Sequence, residues 1–292
     1  MLESIKGAVV QRMTESDLQM VLRWADQEGW NPGEHETLPL YLADPKGYYL
    51  LKHNEQAIAS LALVEYSPQL AWMGLFIVLP IFRKKGYGSL LWDHVVANRP
   101  SSMTLALDGV LQQVSRYEKS GFQSDFLSTR WTVKRSDIME MPPEKQSHLL
   151  LTENFLTTSL LEYDKKILSL SREKFLTPWL RMPESHTLVA RDAQNTIVGY
   201  GVVSKTVNGY KIAPLFADDE AIADALFFAL CSFAAEGSSI VMTTPESNTF
   251  AVALAKRYRM ERVFDTVRMY KGAPPLIDHS KVVGLTSLEI GG

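Results

Sequence analysis

The sequence contains a single cysteine, Cys231, and carries a net charge of only −3 over 292 residues. One thiol cannot form an internal disulfide, and so low a cysteine content fits a reducing compartment. Thirty basic against 33 acidic side chains leave no positive excess of the kind that nucleic-acid binding requires. No run approaches the roughly 18 uncharged apolar residues of a membrane span, and the first residues lack the order of a secretory signal.

Histidine is also scarce, and the six residues stand singly, with no pair at metal-ligand spacing. We therefore predict no metal site. The composition, 46% hydrophobic and 22% charged, is that of an ordinary globular protein. These absences together predict a cytoplasmic protein, monomeric or homodimeric, with neither a nucleic-acid nor a membrane partner.

The length fits two domains of about 150 residues each. In the first half, hydrophobic periodicity predicts an α/β fold, a mixed sheet with helices on both faces. The predicted elements are a helix over 13–28, strands over 48–51, 57–66 and 72–78, a helix over 89–97, a strand over 103–107, a helix over 110–119 and a closing strand over 126–133. A polar, proline-containing stretch then predicts a linker over 139–150, between domains at 1–138 and 151–292.

The second half repeats this order with an offset of 138 residues. Adding 138 takes Phe126 to Phe264 and Arg130 to Arg268, at the same place after a helix. A repeat of this length indicates a duplicated domain, because solenoid repeats are only 20–50 residues long.

The segment 75–91 contains the strongest chemical signal: a buried strand, the turn Arg83-Lys-Lys-Gly-Tyr-Gly88, and the start of a helix. Helix N-termini present unpaired N–H groups that attract anions, and glycines let the backbone approach a ligand closely. The turn therefore predicts a site for a pyrophosphate-like group. It lacks the third glycine of a dinucleotide fingerprint and the Gly-Lys-Ser/Thr of a P-loop. A basic helix start without a ligand is the alternative.

This turn resembles motif A of the GCN5-related N-acetyltransferases (GNAT), Arg/Gln-x-x-Gly-x-Gly/Ala after a strand. Tyr117 to Phe122 also resembles the Tyr-x-x-x-Gly-Phe segment of that family. The second half resembles the C-terminal domain of a two-domain subfamily. The resemblance implies tandem GNAT-like domains, acetyl-coenzyme A (acetyl-CoA) as co-substrate, and direct transfer to a primary amine. The implied coenzyme-binding residues are Phe76, Ile77, Val78, Arg83, Lys84, Lys85, Gly86, Tyr87, Gly88 and Ser89.

The resemblance also implies catalytic roles. Tyr117 would protonate the leaving thiolate, and its usual pKa of about 10 keeps it protonated at neutral pH. One N–H of residues 76–78 would hold the thioester oxyanion. The amine must lose a proton, and Glu65 and Asp108 are candidate bases. A tyrosine packed in the core and solvated carboxylates are the plain alternatives for these residues.

The acceptor loop of the family falls on residues 28–33, in an acidic part of the chain. Residues 1–50 contain four basic and eight acidic side chains. Asp26, Trp30 and Asn31 are therefore predicted to contact a small, cationic amine, Trp30 through a cation–π contact. A solvated helix end explains the same charges equally well.

The second half lacks both the basic turn and the tyrosine. Where the first half has its basic turn, the second has Asp218-Asp-Glu-Ala-Ile-Ala223, and Ala255 stands at the position of Tyr117. We therefore predict catalysis in the first half and a degenerate copy in the second. A non-catalytic acyl-CoA sensor and a nucleotide-binding regulator are the alternative functions.

Overall fold

The computed structural model describes residues 7–97, 99–144, 149–153 and 155–291. The strands in these ranges are β1 (Ala8–Arg12), β2 (Tyr48–His53), β3 (Gln56–Ser67), β4 (Leu70–Val78), β5 (Thr104–Val110), β6 (Gln123–Lys134), β7 (Leu150–Thr152), β8 (Ser185–Arg191), β9 (Ile197–Thr206), β10 (Gly209–Ala217), β11 (Ser239–Pro245), β12 (Glu261–Lys271) and β13 (Val282–Gly284). The helices are α1 (Glu15–Gln27), α2 (Thr37–Ala43), α3 (Tyr87–Val96), α4 (Val114–Lys119), α5 (Arg135–Met139), α6 (Thr157–Leu168), α7 (Glu173–Trp179), α8 (Glu220–Cys231) and α9 (Thr249–Arg257). Among the described residues, none of the helices is both long and apolar enough to cross a membrane.

All strands belong to one mixed sheet, in the order β1-β2-β3-β4-β5-β12-β6-β11-β10-β9-β8-β7, with β13 beside β10. Among the strands of the described ranges, only the pairs β4–β5 and β10–β11 are parallel. The predicted mixed sheet with helices on both faces is confirmed. The helices α1, α2, α6 and α7 share one hydrophobic core, while α3 and the pair α8 and α9 pack in two further cores.

The two halves exchange their last strands. Strand β6 pairs with β11 and β12, and β12 in turn pairs with β5. The strand predicted over 126–133 therefore exists, but it extends the sheet of the second half. The starts of β6 and β12, Gln123 and Glu261, differ by 138 residues (261 − 123), the offset read from the sequence.

Local sequence explains several element boundaries. Helix α1 begins with a capping box in which the Thr14 and Asp17 side chains each bind the other's backbone N–H. Ser169 has a left-handed backbone (φ 52°) at the end of α6 and separates this helix from α7. The short strands β1, β7 and β13 were missed, because segments of three to five residues show too little periodicity.

Candidate active site

Strands β4 and β5 separate in the middle of the sheet. Their parallel pairing ends at Met73 opposite Leu107, although both strands continue. At this point β4 contains a bulge, where the register against β3 shifts between Ser60 and Ala62. The bulged residue Leu75 has φ 47°, and its carbonyl accepts a 2.7 Å hydrogen bond from the Ser60 hydroxyl. The rest of β4 thus presents main-chain groups without a β5 partner, in an opening we call the splay.

The basic turn lies beyond the far end of this opening. Gly86 caps α3 with φ 87°, and within the described part of the chain this helix start has no side-chain cap. Arg83 donates from Nε to the Val78 carbonyl (2.8 Å) and pairs with Glu28, which fixes the turn against β4 and α1. A Cβ on Gly88 would stand 3.3 Å from Val78. The predicted coenzyme-binding residues 76–78 and 83–89 are therefore brought together.

Tyr117 lies on α4, with its ring over Gly109 of β5. A Cβ on that glycine would stand 3.0 Å from the tyrosine ring, so the small residue makes room for it. The Trp92 ring packs against Tyr117 at 5.7 Å between centroids. Burial raises the pKa of Tyr117 to about 12, which keeps the hydroxyl protonated.

The two predicted bases are placed differently. Asp108 is buried beside the splay and accepts a 2.8 Å hydrogen bond from Arg268 on the exchanged strand β12. Burial raises the pKa of Asp108, against the lowering effect of Arg268. Glu65 lies opposite Ala71, at the end of β4 remote from the basic turn, and forms an ion pair with Arg99. The structure therefore does not bring Glu65 to the splay.

The predicted acceptor residues border the junction of the two halves. Asn31, with φ 51°, donates to Thr206 (3.1 Å) and accepts from the backbone N–H of Asn208 (2.9 Å). The Trp30 carbonyl accepts a 2.6 Å hydrogen bond from Arg130 of β6, and burial lowers the pKa of that arginine. Asp26 lies near the end of α1, half-buried. The loop is thus held by the second half.

The helix start of the second half is closed by its own side chains. Asp219 caps α8 by accepting a 2.8 Å hydrogen bond from the N–H of Ile222. The neighbouring Asp218 binds Lys281 (2.8 Å) and the Tyr163 hydroxyl (3.0 Å). These carboxylates occupy the position that α3 leaves open in the first half.

The sheet opening of the second half is also filled. Pairing between β10 and β11 ends at Ile212 opposite Met242, as in the first half. Here β13 enters the gap, pairing with β10 and continuing into a 2.8 Å hydrogen bond from Leu285 N–H to the Thr243 carbonyl. The chain itself thus takes the place that would correspond to a ligand.

The residues after β13, which we call the tail (285–291), run on to the first half. The Tyr66 hydroxyl donates to the Ile290 carbonyl at 2.9 Å, and a Cβ on Gly74 would overlap the backbone of Glu289. A small cavity of about 30 Å³ lies between the halves. Its lining comprises Asn31, Arg130, Lys211, Ile212, Ala213, Val241, Thr243, Leu285, Thr286, Ser287, Leu288 and Glu289. No sequence pattern points to a role for Glu289, because this residue comes close to β4 only when the chain folds.

One group of possible metal ligands lies apart from the splay. Among the described residues, Glu34, His35 and Glu184 bring one ligand atom each within 4.8 Å of the others. Lys205 already pairs with both carboxylates, at 3.5 and 3.1 Å, and His35 binds Glu184 at 3.1 Å. This exposed group is therefore held together by its own charges.

Comparison with known proteins defines the class. Residues 16–122 match the profile of the acetyltransferase (GNAT) family, and residues 160–284 match that of an acetyltransferase (GNAT) domain. The fold, the splay and both matches define a GNAT acyltransferase. The chain belongs to the GNAT superfamily as a tandem protein, with one such domain in each half.

Individual relatives agree with this assignment. The chain is 26% identical over 273 residues to the holothin acyltransferase of Pseudoalteromonas sp. (strain SANK 73390), covering 94% of this chain and 91% of that protein. A Pyrococcus horikoshii structure assigned to an acetyltransferase superposes with a TM-score of 0.81 at 20% identity, covering 99% and 98% of the two chains. A tandem GNAT protein from the clavulanic acid biosynthesis pathway superposes with a TM-score of 0.64 at 14% identity, covering 90% and 98%.

Proposed function

We propose that the first half transfers an acetyl group from acetyl-CoA directly to a primary amine of a small molecule, while the second half shapes the site without turnover. The observation that carries this proposal is the contrast between the halves. The first has an open splay and an uncapped α3, whereas the second has its gap filled by β13 and its helix capped by Asp219.

In this proposal the pyrophosphate binds the free N–H groups of α3, attracted by Lys84 and Lys85. The pantetheine arm lies in the splay and pairs with the unpartnered main chain of β4. One N–H of residues 76–78 holds the oxygen of the thioester as negative charge develops. Tyr117 protonates the departing thiolate, as its raised pKa permits.

The acceptor is proposed to enter from the face carrying α1 and α2, next to Asp26, Trp30 and Asn31. The acidic residues around the loop favour a cationic acceptor, but the basic residues Arg130 and Lys211 also line the neighbouring cavity. An acceptor screen should therefore include amines with and without a carboxylate. Since the Pseudoalteromonas relative is named an acyltransferase, longer acyl-CoA donors belong in the same screen.

The test places a carboxylate where the pyrophosphate should bind. Ser89→Asp adds negative charge to the exposed first turn of α3, and Ser89→Asn is the neutral control of the same size. We expect the Asp variant to weaken acetyl-CoA binding about ten- to a hundredfold by charge repulsion, with the Asn variant near wild type. Calorimetry measures binding, and thiol release with a panel of amines measures turnover.

Each outcome has a distinct meaning. Equal affinity in both variants would place the coenzyme elsewhere and overturn the proposed site. Binding of acetyl-CoA without thiol release for any amine would favour a non-catalytic acyl-CoA sensor. A thermal shift with ATP alone would favour a nucleotide-binding regulator, because only ligands that bind the folded state stabilise it.

A further inference from the structure

The tail places a carboxylate at the mouth of the splay. The backbone of Glu289 packs so closely on Gly74, next to the bulge of β4, that only glycine fits there. Gly291 packs equally closely on Trp72 of the same strand. Glu289 is half-buried and lines the cavity between the halves together with Asn31, on the side where the acceptor is proposed to enter.

The carboxylate of Glu289 is held in a defined position. The Ser287 hydroxyl donates to its Oε2 at 2.7 Å, and the Glu289 N–H donates to the same hydroxyl oxygen at 3.1 Å. The negative charge of Glu289 helps to raise the pKa of buried Asp108. It also acts to raise the pKa of Arg130, against the larger lowering effect of burial. Glu289 therefore lies within electrostatic reach of both β5 and β6.

Tyr117 and Glu289 lie on opposite faces of the sheet at this point. Tyr117 packs with the core around α3, whereas the residues that the tail contacts, Trp72 and Tyr66, belong to the other face. The opening between β4 and β5 connects the two faces. A thioester in the splay would thus have a proton donor on one side and a carboxylate on the other.

We propose that Glu289 is the general base of acetyl transfer and receives the proton of the acceptor amine. This inference rests on the acetyl transfer proposed above. The nitrogen lone pair forms the new N–C bond, and the C–S electron pair leaves with sulfur. Tyr117 donates its proton to the thiolate, and the proton lost from nitrogen passes to Glu289. Solvent then returns a proton to Tyr117 and removes one from Glu289.

Two other carboxylates near this face, Asp108 and Glu36, are already engaged. Asp108 has no exposed side-chain surface and is bound to Arg268. Glu36 is buried, paired with Lys211 and bound to the N–H of Gly33. Among the described residues, the Glu289 carboxylate bonds to the neutral Ser287 hydroxyl through Oε2, which leaves Oε1 for a substrate.

The experiment uses the full-length protein with Glu289→Gln and a series of amines of decreasing basicity. Glu236→Gln, at an exposed loop of the second half, is the matched control. We expect Glu289→Gln to lower kcat by about 10²- to 10⁴-fold for strongly basic amines, with the KM for acetyl-CoA within about twofold. The loss should shrink for weakly basic amines, because these are already neutral and need less help in losing a proton.

This dependence on amine basicity separates a base from a merely structural carboxylate. An equal loss of kcat for all amines, or no loss, would overturn the role of Glu289. Unfolding midpoints and acetyl-CoA affinities close to wild type would show that the variant is folded. If the wild-type protein transfers acetyl to none of the amines, the proposed function fails first, and the role of Glu289 fails with it.

Discussion

A buried ion pair joins the two halves of the chain and provides the sharpest test of the strand exchange. Asp108 on β5 and Arg268 on β12 are 160 residues apart in sequence and bond at 2.8 Å, with side-chain exposures of 0% and 1%. The guanidinium also stacks on Trp72, with its carbon 4.4 Å from the ring centre. If β12 did not lie beside β5, neither contact would exist.

Removing one partner leaves the other charge buried without compensation. We expect Asp108→Ala and Arg268→Ala each to lower the free energy of unfolding by about 3–5 kcal/mol. The double variant buries neither charge. Its loss in free energy of unfolding should therefore be smaller than the sum of the two single losses by at least about 1 kcal/mol. Glu65 and Arg99, with side chains 38% and 20% exposed, are the more solvated control pair, for which the same cycle should give about 0–1 kcal/mol.

Urea unfolding followed by both tryptophan fluorescence and circular dichroism measures these energies. Two probes are needed because a chain of two domains can unfold in more than one step. If the losses of the two single variants add up to the loss of the double variant within about 0.5 kcal/mol, Asp108 and Arg268 do not interact. That result would refute the pairing of β5 with β12.

Two further predictions concern protonation. Tyr117→Phe should lower kcat about a hundredfold or more while leaving acetyl-CoA affinity unchanged, and wild-type kcat should show no alkaline decline near pH 10, because the pKa of Tyr117 is raised to about 12. An unchanged kcat in Tyr117→Phe, or a wild-type decline near pH 10 that disappears in this variant, would contradict the prediction. Burial lowers the pKa of His279 just before β13, so the unfolded chain binds more protons, and stability should fall as pH drops below about 6.5. His279→Gln should reduce the difference in urea midpoint between pH 7.5 and pH 5.5; an unchanged difference would exclude His279 as its source.

The sequence predicted the local structure of the proposed coenzyme site because its residues are contiguous. Strand, basic turn and helix start occupy residues 75–91, and local backbone preferences determine their arrangement. The duplication and its offset were also evident, as was the loss of the basic turn in the second half. In the structure, Asp219 caps α8, the helix that follows the position of the lost basic turn.

The acceptor side could not be predicted in the same way. Glu65 was a reasonable candidate base by sequence, yet strand direction places it at the wrong end of β4. Asp108 acquires Arg268 only because the closing strands are exchanged. Both facts depend on strand pairing between distant segments, which the periodicity of a single strand does not specify.

By itself, the sequence determined the class of fold, the duplication and the basic turn before α3, because each depends on residues close together in the chain. Only the tertiary structure decided which strand closes which half, what fills the second opening, and which carboxylate faces the first. The tail illustrates the difference: Val282–Gly284 closes one site, and Glu289 reaches the other. The ten residues 282–291 contact both halves because folding brings the two openings into one sheet.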